Sequence, residues 1–418
     1  MIYLITNQQQ LFSDITKDIQ FGTVDQLLNY FKPHKEIEVD TETEGLNCHT
    51  DKLISIQFGD KFNQFVVDLL TVDVKLFKRL LEDNLLIFQN AKFDLKFLYK
   101  QDIWPNTVYD TFLAEGVLTM GDKLIRKSLG VLVTRYTNIV LDKEMQSIIH
   151  KEGLSVRGII YAANDVKYLG MIKEKQLVRI ADLELEQALS LDNQFVRVLA
   201  FVEYCGFYLN GDKWKAKMIE DKQNLIGAKS ILNKWIIDND MKQYIDNQLD
   251  MFSNDIKIKL NWDSAKQVIP LMRGIGINTE IKDKKTGNAK HSVDIKLLEA
   301  QKGVHEIVSK YIQYKKYGKI SSSFGVNILR QIVPTTGRIH TTFKQIMDTG
   351  RMSCGGKDRA TGGENVNLQQ IPADVRHRGC FTAQGDNTLV VADYSGQESV
   401  VFANFCQDPA ILEFYSKG

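Results

Sequence analysis

Between Glu36 and Leu70 apolar and polar residues alternate, as EIEVDTE, then KLISIQFG, then NQFVVDLL, with turn residues at Glu44-Gly45 and Gly59-Asp60 between the runs. A period of two marks half-buried strands, so three short antiparallel strands are expected here. LLIFQN then reads as a buried strand ending at Asn90, a residue suited to cap the helix AKFDLKFLYKQ that follows. Helical periodicity dominates from there to Glu184, and the whole stretch reads as one mixed α/β domain. In LEQALSLDNQFVRVLAFVEYCG the apolar positions Leu185, Leu189, Phe195, Leu199 and Val202 recur at helical spacings, and Gly206 closes the pattern as a C-terminal cap would. GFYLN reads as a short extended piece. A polar loop is expected over KDKKTGNAK, residues 282–290. A second strong helix follows, with Val304, Ile307, Tyr311 and Tyr314 on one face and Lys310, Lys315, Lys316 and Lys319 around the rest. TTGRIHTTFKQ predicts a hairpin around Thr336-Gly337, and TLVVADYS predicts a strand ending in a turn before the helix GQESVVFANFCQD.

The chain of 418 residues has room for about three domains at roughly 150 residues each. Apolar residues at 44%, charged residues at 25% and six prolines describe packed cores rather than long disordered tracts. A net charge of +1 excludes a uniformly basic protein but conceals an asymmetry. Residues 301–380 carry 13 Lys+Arg against 5 Asp+Glu, whereas residues 1–50 hold three lysines against eight carboxylates. That distribution suits a phosphate-binding track and a metal-collecting carboxylate cluster, and equally suits charge runs on solvated faces. MIYLIT has no basic lead and is too short for a signal peptide, and no run approaches the ~18 apolar residues of a membrane span. A soluble, non-secreted protein is expected. The five cysteines, Cys48, Cys205, Cys354, Cys380 and Cys406, are widely spaced without a C-x-x-C pair, so free thiols in a reducing compartment are expected.

Asp40 and Glu42 stand two apart on a predicted strand and so share a face. Asp94 falls on the first turns of the next helix, and Tyr161 and Asp165, four apart, share one helix face. Each alone is an ordinary solvated residue; the ordered set is specific. DTET at 40–43, Asn90-Ala91-Lys92-Phe93-Asp94 and Tyr-x-x-x-Asp at 161–165 resemble the three motifs of the exonuclease superfamily with four acidic residues and a tyrosine, over about residues 20–185. The resemblance implies a ribonuclease-H-like fold and 3′-to-5′ cleavage of nucleic acid. It implies that Asp40, Glu42 and Asp165 hold one Mg²⁺ or Mn²⁺, that Asp40 and Asp94 serve a second, and that Tyr161 orients the attacking water. Hard divalent cations prefer oxygen ligands, and no organic cofactor is expected. SLGVLVTRYTNIVLDKEMQ, before the third motif, also resembles ribonuclease D, so this domain by itself leaves DNA against RNA open.

TTGRIHTTFKQIMDTGRMSC, then NLQQIP, then VVADYSGQES resemble, in order, the palm of the DNA polymerase I family, family A; LAFVEYCGFYLN and WDSAKQV resemble its thumb. Gly396 within DYSGQE is similar to replicative polymerases of some short-tailed phages. The resemblance implies that Asp393 holds catalytic Mg²⁺ with the Tyr394 carbonyl as backbone ligand, and that Glu398 crowds a ribose 2′-hydroxyl. It further implies that Arg351 contacts the minor groove at the primer end, that Gln370 fills the amide position of the NLQ-x-IP motif and binds DNA or nucleotide, and that Lys315, Lys316 and Lys319 meet duplex phosphates. The expected architecture is an α/β ribonuclease-H-like exonuclease domain (1–185), a mainly helical thumb (186–330) and a partial α+β polymerase palm (331–418). GGKDRATGGE (355–364) resembles an insertion, and Gln397 replaces a usually apolar residue. The family's fingers cations and second palm carboxylate do not occur before FYSKG. Primer-template DNA and single-stranded DNA 3′ ends are the expected partners, in the cytoplasm of a bacterial or phage-infected cell, and the fingers and the rest of the palm are expected either on a second polypeptide or downstream of a truncation. Two other readings stay open: a free-standing exonuclease, RNA-directed or not, with a vestigial polymerase region, and a non-catalytic DNA-clamping subunit.

Overall fold

Seven strands form the first sheet: β1 (Ile2–Ile5), β2 (Ile19–Phe21), β3 (Glu36–Thr43), β4 (Leu53–Gly59), β5 (Gln64–Asp68), β6 (Leu85–Phe88) and β7 (Thr107–Asp110), in the order β2-β1-β5-β4-β3-β6-β7. This computed structural model describes residues 1–12, 14–141, 154–245, 258–283, 287–357 and 363–416. The end of the ribonuclease D-like stretch, the tip of the 282–290 segment and half of the insertion lie outside those residues. β3, β4 and β5 pair antiparallel, as the alternation predicts, and every other pairing in the sheet is parallel. β1 and β2 are too short to show a period, and the sequence pattern did not disclose them.

Alternation divides the side chains of β3 to β5 between two covered faces. Ile37, Val39, Ile56, Phe58, Phe65 and Val67 meet Leu27, Phe31, Leu95 and Leu98 on one side. Burying each phenylalanine there contributes about 2 kcal/mol. On the other side Leu4 and Val66 meet Ile159, Ala162 and Ala163 from the helix Val156–Lys167. That second face is the one toward which Glu38, Asp40 and Glu42 point.

The predicted long helix runs Glu186–Cys205 and ends at Gly206, whose φ of 62° is the left-handed conformation that glycine tolerates. It buries Val196 and Ala200 in the core of the sheet and Leu199 against Phe343 and Cys354, so one helix serves both halves of the molecule. Beyond it, the helices Gly211–Asp238 and Glu306–Ser323 pack along each other over a core of Trp235, Trp262, Met272 and Tyr311. A three-stranded antiparallel sheet of Phe207–Tyr208, Arg338–Ile339 and Ile332–Val333 underlies them, its hairpin turning at Gly337 with φ 66°.

Four expectations need correction. Asn90 does not cap its helix: it takes φ 67°, the residue before Lys92–Lys100 is Ala91, and no side chain of either caps that helix. Val304 lies ahead of the helix, which starts at Glu306 with the His305 side chain as its cap, and is 59% exposed. The 282–290 segment is flanked by a hairpin, Glu280–Lys282 against Ala289–His291, whose polar strands carry no apolar signal. TLVVADYS forms no strand: residues 388–395 are irregular and exposed. An apolar run becomes a buried strand only where neighbours complete its hydrogen bonds and cover its faces, and no strand among the described residues pairs with it.

Candidate active site

Asp40 sits opposite Gln57 and Glu42 opposite Ser55 in the β3–β4 ladder, and the register slips between Glu42 and Thr43. Cross-strand partners share a face, so two carboxylates, a serine and a glutamine project together under the helix Val156–Lys167. Ser155 caps that helix by accepting from the Gly158 amide at 3.2 Å. Burial of Ile159, Ala162, Ala163 and Val166 then fixes its rotation, and Tyr161 and Asp165 are left one turn apart on the side facing β3. The approach is close: a Cβ at Gly59 would lie 2.7 Å from Val166. Asp40, Glu42 and Asp165 consequently offer oxygen atoms all within 4.8 Å of one another.

Asp94 enters from the opposite face. The helix Lys92–Lys100 places it in its first turn, 2% exposed, where Oδ1 accepts from the Thr41 amide at 3.1 Å and the Thr41 hydroxyl at 2.7 Å. Thr41, between the two strand carboxylates, thus ties Asp94 to the strand that carries them. Start of this helix and of its neighbour both depend on Asp110, at the end of β7. Its carboxylate accepts from the Asn90, Ala91 and Phe112 amides, each at 2.9 Å, and so fixes the turn that leads into the first helix and caps the second. Sequence reasoning missed Thr41, Asp110 and Gln57. The Asp-Thr pair ahead of a helical run was a usable signal for Asp110 as a cap of the second helix; its role at the first is a long-range contact with no local trace.

Crowded carboxylates repel one another and resist ionisation when buried. Burial pushes Asp40 up to about 7. Burial, then the charges of Asp40, Asp165 and Asp94, push Glu42 up to about 9. Asp94 and Asp165 lie well above the usual carboxylate range for the same two causes, burial first and Asp40 second. Burial and the adjacent Asp165, Glu42 and Asp40 raise the Tyr161 phenol, which therefore remains a neutral hydrogen-bonding group at any working pH. Gln57 is fully buried; its Nε2 donates to Ser55 Oγ at 2.6 Å while its Oε1 has no protein partner. An all-oxygen set of this charge fits hard divalent cations, which would relieve the repulsion, and the orphaned amide oxygen suits a bound water.

In the second half, Arg351 and Glu398 meet in an ion pair between two largely exposed side chains. Gln370 is exposed at the end of the short turn Leu368–Gln370; its neighbour Gln369 accepts from the Cys354 amide at 3.0 Å. Asp393 and Tyr394 lie on the irregular, exposed 388–395 segment, apart from any ordered carboxylate cluster among the described residues. Of the three lysines, Lys316 pairs with Glu299 at 2.9 Å, and Lys315 and Lys319 occupy the partly open side of their helix. The structure thus assembles the five exonuclease positions and leaves the polymerase positions on an open surface.

Comparison with known proteins agrees with both halves. A family model described as 3′-5′ exonuclease matches residues 20–179, and one described as DNA polymerase family A matches residues 237–418. The chain is 28% identical over 402 residues to DNA polymerase I of Aquifex aeolicus, covering 91% of the chain and 61% of that protein. It is 26% identical over 435 aligned positions to DNA polymerase I of Borreliella burgdorferi, covering 99% of the chain and 44% of that protein. Among solved structures, the POL domain of Pol1 from M. smegmatis, in complex with DNA primer-template and dNTP, shares the fold with a TM-score of 0.66 at 20% identity, over 94% of the chain and 63% of that structure. The chain spans about half to three fifths of the length of these curated relatives. Among the described residues no helix is long and apolar enough to cross a membrane. The chain belongs to the family A DNA polymerases, with a 3′-5′ exonuclease domain ahead of its polymerase-family region.

Proposed function

We propose that this chain removes nucleotides from DNA 3′ ends at the Asp40–Glu42–Asp94–Tyr161–Asp165 site and holds primer-template DNA with the region beyond it. The observation that carries this reading is the meeting of Asp40, Glu42 and Asp165 within 4.8 Å beneath Tyr161, in a chain with both family matches. Asp40, Glu42 and Asp165 would hold one Mg²⁺ or Mn²⁺, and Asp40 with Asp94 a second; bound there, such ions would activate water and neutralise the charge on the leaving oxygen. Thr41 and the Asp110-held turn hold Asp94 in place for that task. The neutral Tyr161 hydroxyl, hydrogen-bonded to Asp165, directs the attacking water at the phosphorus.

For the polymerase half the roles proposed are Asp393 and the Tyr394 carbonyl for metal, Glu398 for the ribose, Arg351 for the primer end, Gln370 for DNA or nucleotide, and Lys315, Lys316 and Lys319 for duplex phosphates. The Arg351–Glu398 pair is solvent-screened and worth little, so DNA and nucleotide can displace it at small cost. Polymerisation is proposed to need further polypeptide, which would cover the exposed run Leu389, Val390, Val391, Phe402, Phe405 and Phe414.

Incubating the protein with Mg²⁺ and a 5′-labelled primer on a template tests both parts. Stepwise shortening of the primer without dNTPs is the expected result, and no template-directed extension when dNTPs are added. An intact primer would overturn the exonuclease reading, degradation of single-stranded RNA in preference to DNA would favour an RNA-directed enzyme, and extension by the protein alone would overturn the need for further polypeptide.

A further inference from the structure

The helix that carries Asp94 is gripped by a buried carboxylate that plays no part in the chemistry. Glu203 lies one turn from the end of the Glu186–Cys205 helix and is 3% exposed. Its Oε1 meets Lys92 Nζ at 2.5 Å and its Oε2 meets Lys96 Nζ at 2.8 Å. Oε1 also accepts from the Phe343 amide at 2.7 Å, and Lys92 Nζ in turn donates to the Phe343 carbonyl. Lys92 and Lys96 flank Asp94 by two residues on either side. Charge-assisted bonds out of water are directional and strong, so one carboxylate fixes two successive turns' worth of the Asp94 helix against the strand Phe343–Lys344.

A second contact grips the loop after Glu42. His49 Nε2 lies 3.1 Å from His340 Nδ1, the His49 ring stacks on Tyr204, and His340 Nδ1 also faces the Glu203 carbonyl at 2.8 Å. The chain is so close here that a Cβ at Gly206 would fall 2.7 Å from the His340 ring. Phe343–Lys344 pairs with Ser353–Cys354, and the turn between them carries Arg351. A shift of that hairpin therefore reaches the Asp94 helix through Glu203, whereas Asp40, Glu42 and Asp165 come from a strand and a helix that Glu203 does not touch.

We propose that Glu203 is a positioning residue for the exonuclease site, holding Asp94 in register through Lys92 and Lys96 and coupling its placement to the polymerase-side hairpin at Phe343. This rests on the metal-dependent reading of the exonuclease site. It follows that losing the Glu203 charge weakens the one cation site that uses Asp94 and spares the site made by Asp40, Glu42 and Asp165.

The test is calorimetric titration of the full chain with Mn²⁺ in the presence of a deoxynucleoside monophosphate, comparing wild type with Glu203→Gln. Glu115→Gln is the control: Glu115 is fully buried and bonded to Arg135, to the Tyr136 hydroxyl at 2.6 Å and to Gln176 at 3.1 Å, away from Asp94. Wild type is expected to take up two ions. Glu203→Gln is expected to keep the tighter site and lose about tenfold in affinity at the other, the range for changing a group behind a metal ligand. Its exonuclease rate should recover at high Mn²⁺. Lys96→Gln, a milder change, should weaken the same site less, which preserves the test if Glu203→Gln does not fold. Glu203→Gln and Lys96→Gln that bind both ions as wild type does would overturn the proposal, as would Glu115→Gln weakening the same site equally. Wild type that takes up no Mn²⁺ would remove the metal reading and this proposal together.

Discussion

At the scale of single residues, the exonuclease carboxylates set a conflict between stability and function. The folded pKa values of Asp40 and Glu42 lie near 7 and 9, above their unfolded values, because burial and mutual repulsion disfavour the charged forms. The folded state then binds more protons than the unfolded state, and stability falls as pH rises from the ordinary carboxylate range through those values. His49 acts oppositely: burial and the adjacent His340 depress it to about 4, so it costs stability as pH falls from about 6.5 toward 4. Above pH 6.5 the carboxylates set the trend, Glu38 among them, which burial pushes up to about 8. Metal-free protein should melt lower at pH 8.5 than at pH 7, and Mn²⁺ should remove most of that difference. Asp40→Asn should raise the metal-free melting temperature at pH 8.5 by about 3–6 °C. Calorimetric melts at the two pH values check this; a metal-free protein equally stable at both would show that the cluster is not strained. The cluster was legible in the sequence because strand and helix periods are short: two residues put Asp40 with Glu42, four put Tyr161 with Asp165. Asp94 was legible by its motif alone, and Thr41, which holds it, looked like a spacer.

Among the elements, those whose fate is decided locally were legible and those decided by distant partners were not. The β3–β5 meander and the helix ending at Gly206 carry their periods and their stop signals within themselves. Asn90 has the composition of a cap, yet the work falls to Asp110, twenty residues on, because the end of β7 brings a carboxylate to two helix starts together. Removing it leaves three amides, one buried and two partly buried, to find new acceptors. Asp110→Ala is expected to cost about 3 kcal/mol, combining the loss of one cap with the desolvation of the orphaned turn amides; Asp110→Asn, which keeps one acceptor oxygen, should cost less. Urea unfolding measures both, and a loss for Asp110→Ala no larger than that of a surface substitution would contradict the joint hold of Asp110 on a helix start and the turn before its neighbour. The 388–395 run shows the converse. Its apolar pattern reads as a strand, but a strand also needs neighbours, and composition cannot report whether they are present.

On the scale of the whole molecule, two functional regions share one connecting helix. Glu186–Cys205 contributes to the core of the seven-stranded sheet through Val196 and Ala200, to the Phe343 hairpin through Leu199, and to the Asp94 helix through Glu203. The sequence marked that helix by its apolar spacing but not the buried glutamate within it, since a charged residue on a helix ordinarily reads as solvent-facing. The asymmetry of charge along the chain also takes on a physical sense: the acidic beginning gathers around β3, and the basic stretch around Arg351 and the lysine-bearing helix. Everything proposed for the nuclease depends on β3 supplying the carboxylates at which DNA is cut. The most direct measurement is therefore Mg²⁺-dependent shortening of a 5′-labelled primer by the wild-type protein and by the double substitution Asp40→Ala with Glu42→Ala, with primer-template affinity measured on both. The expected result is complete loss of shortening with affinity retained; shortening that persists in the doubly substituted protein would contradict the assignment of the site.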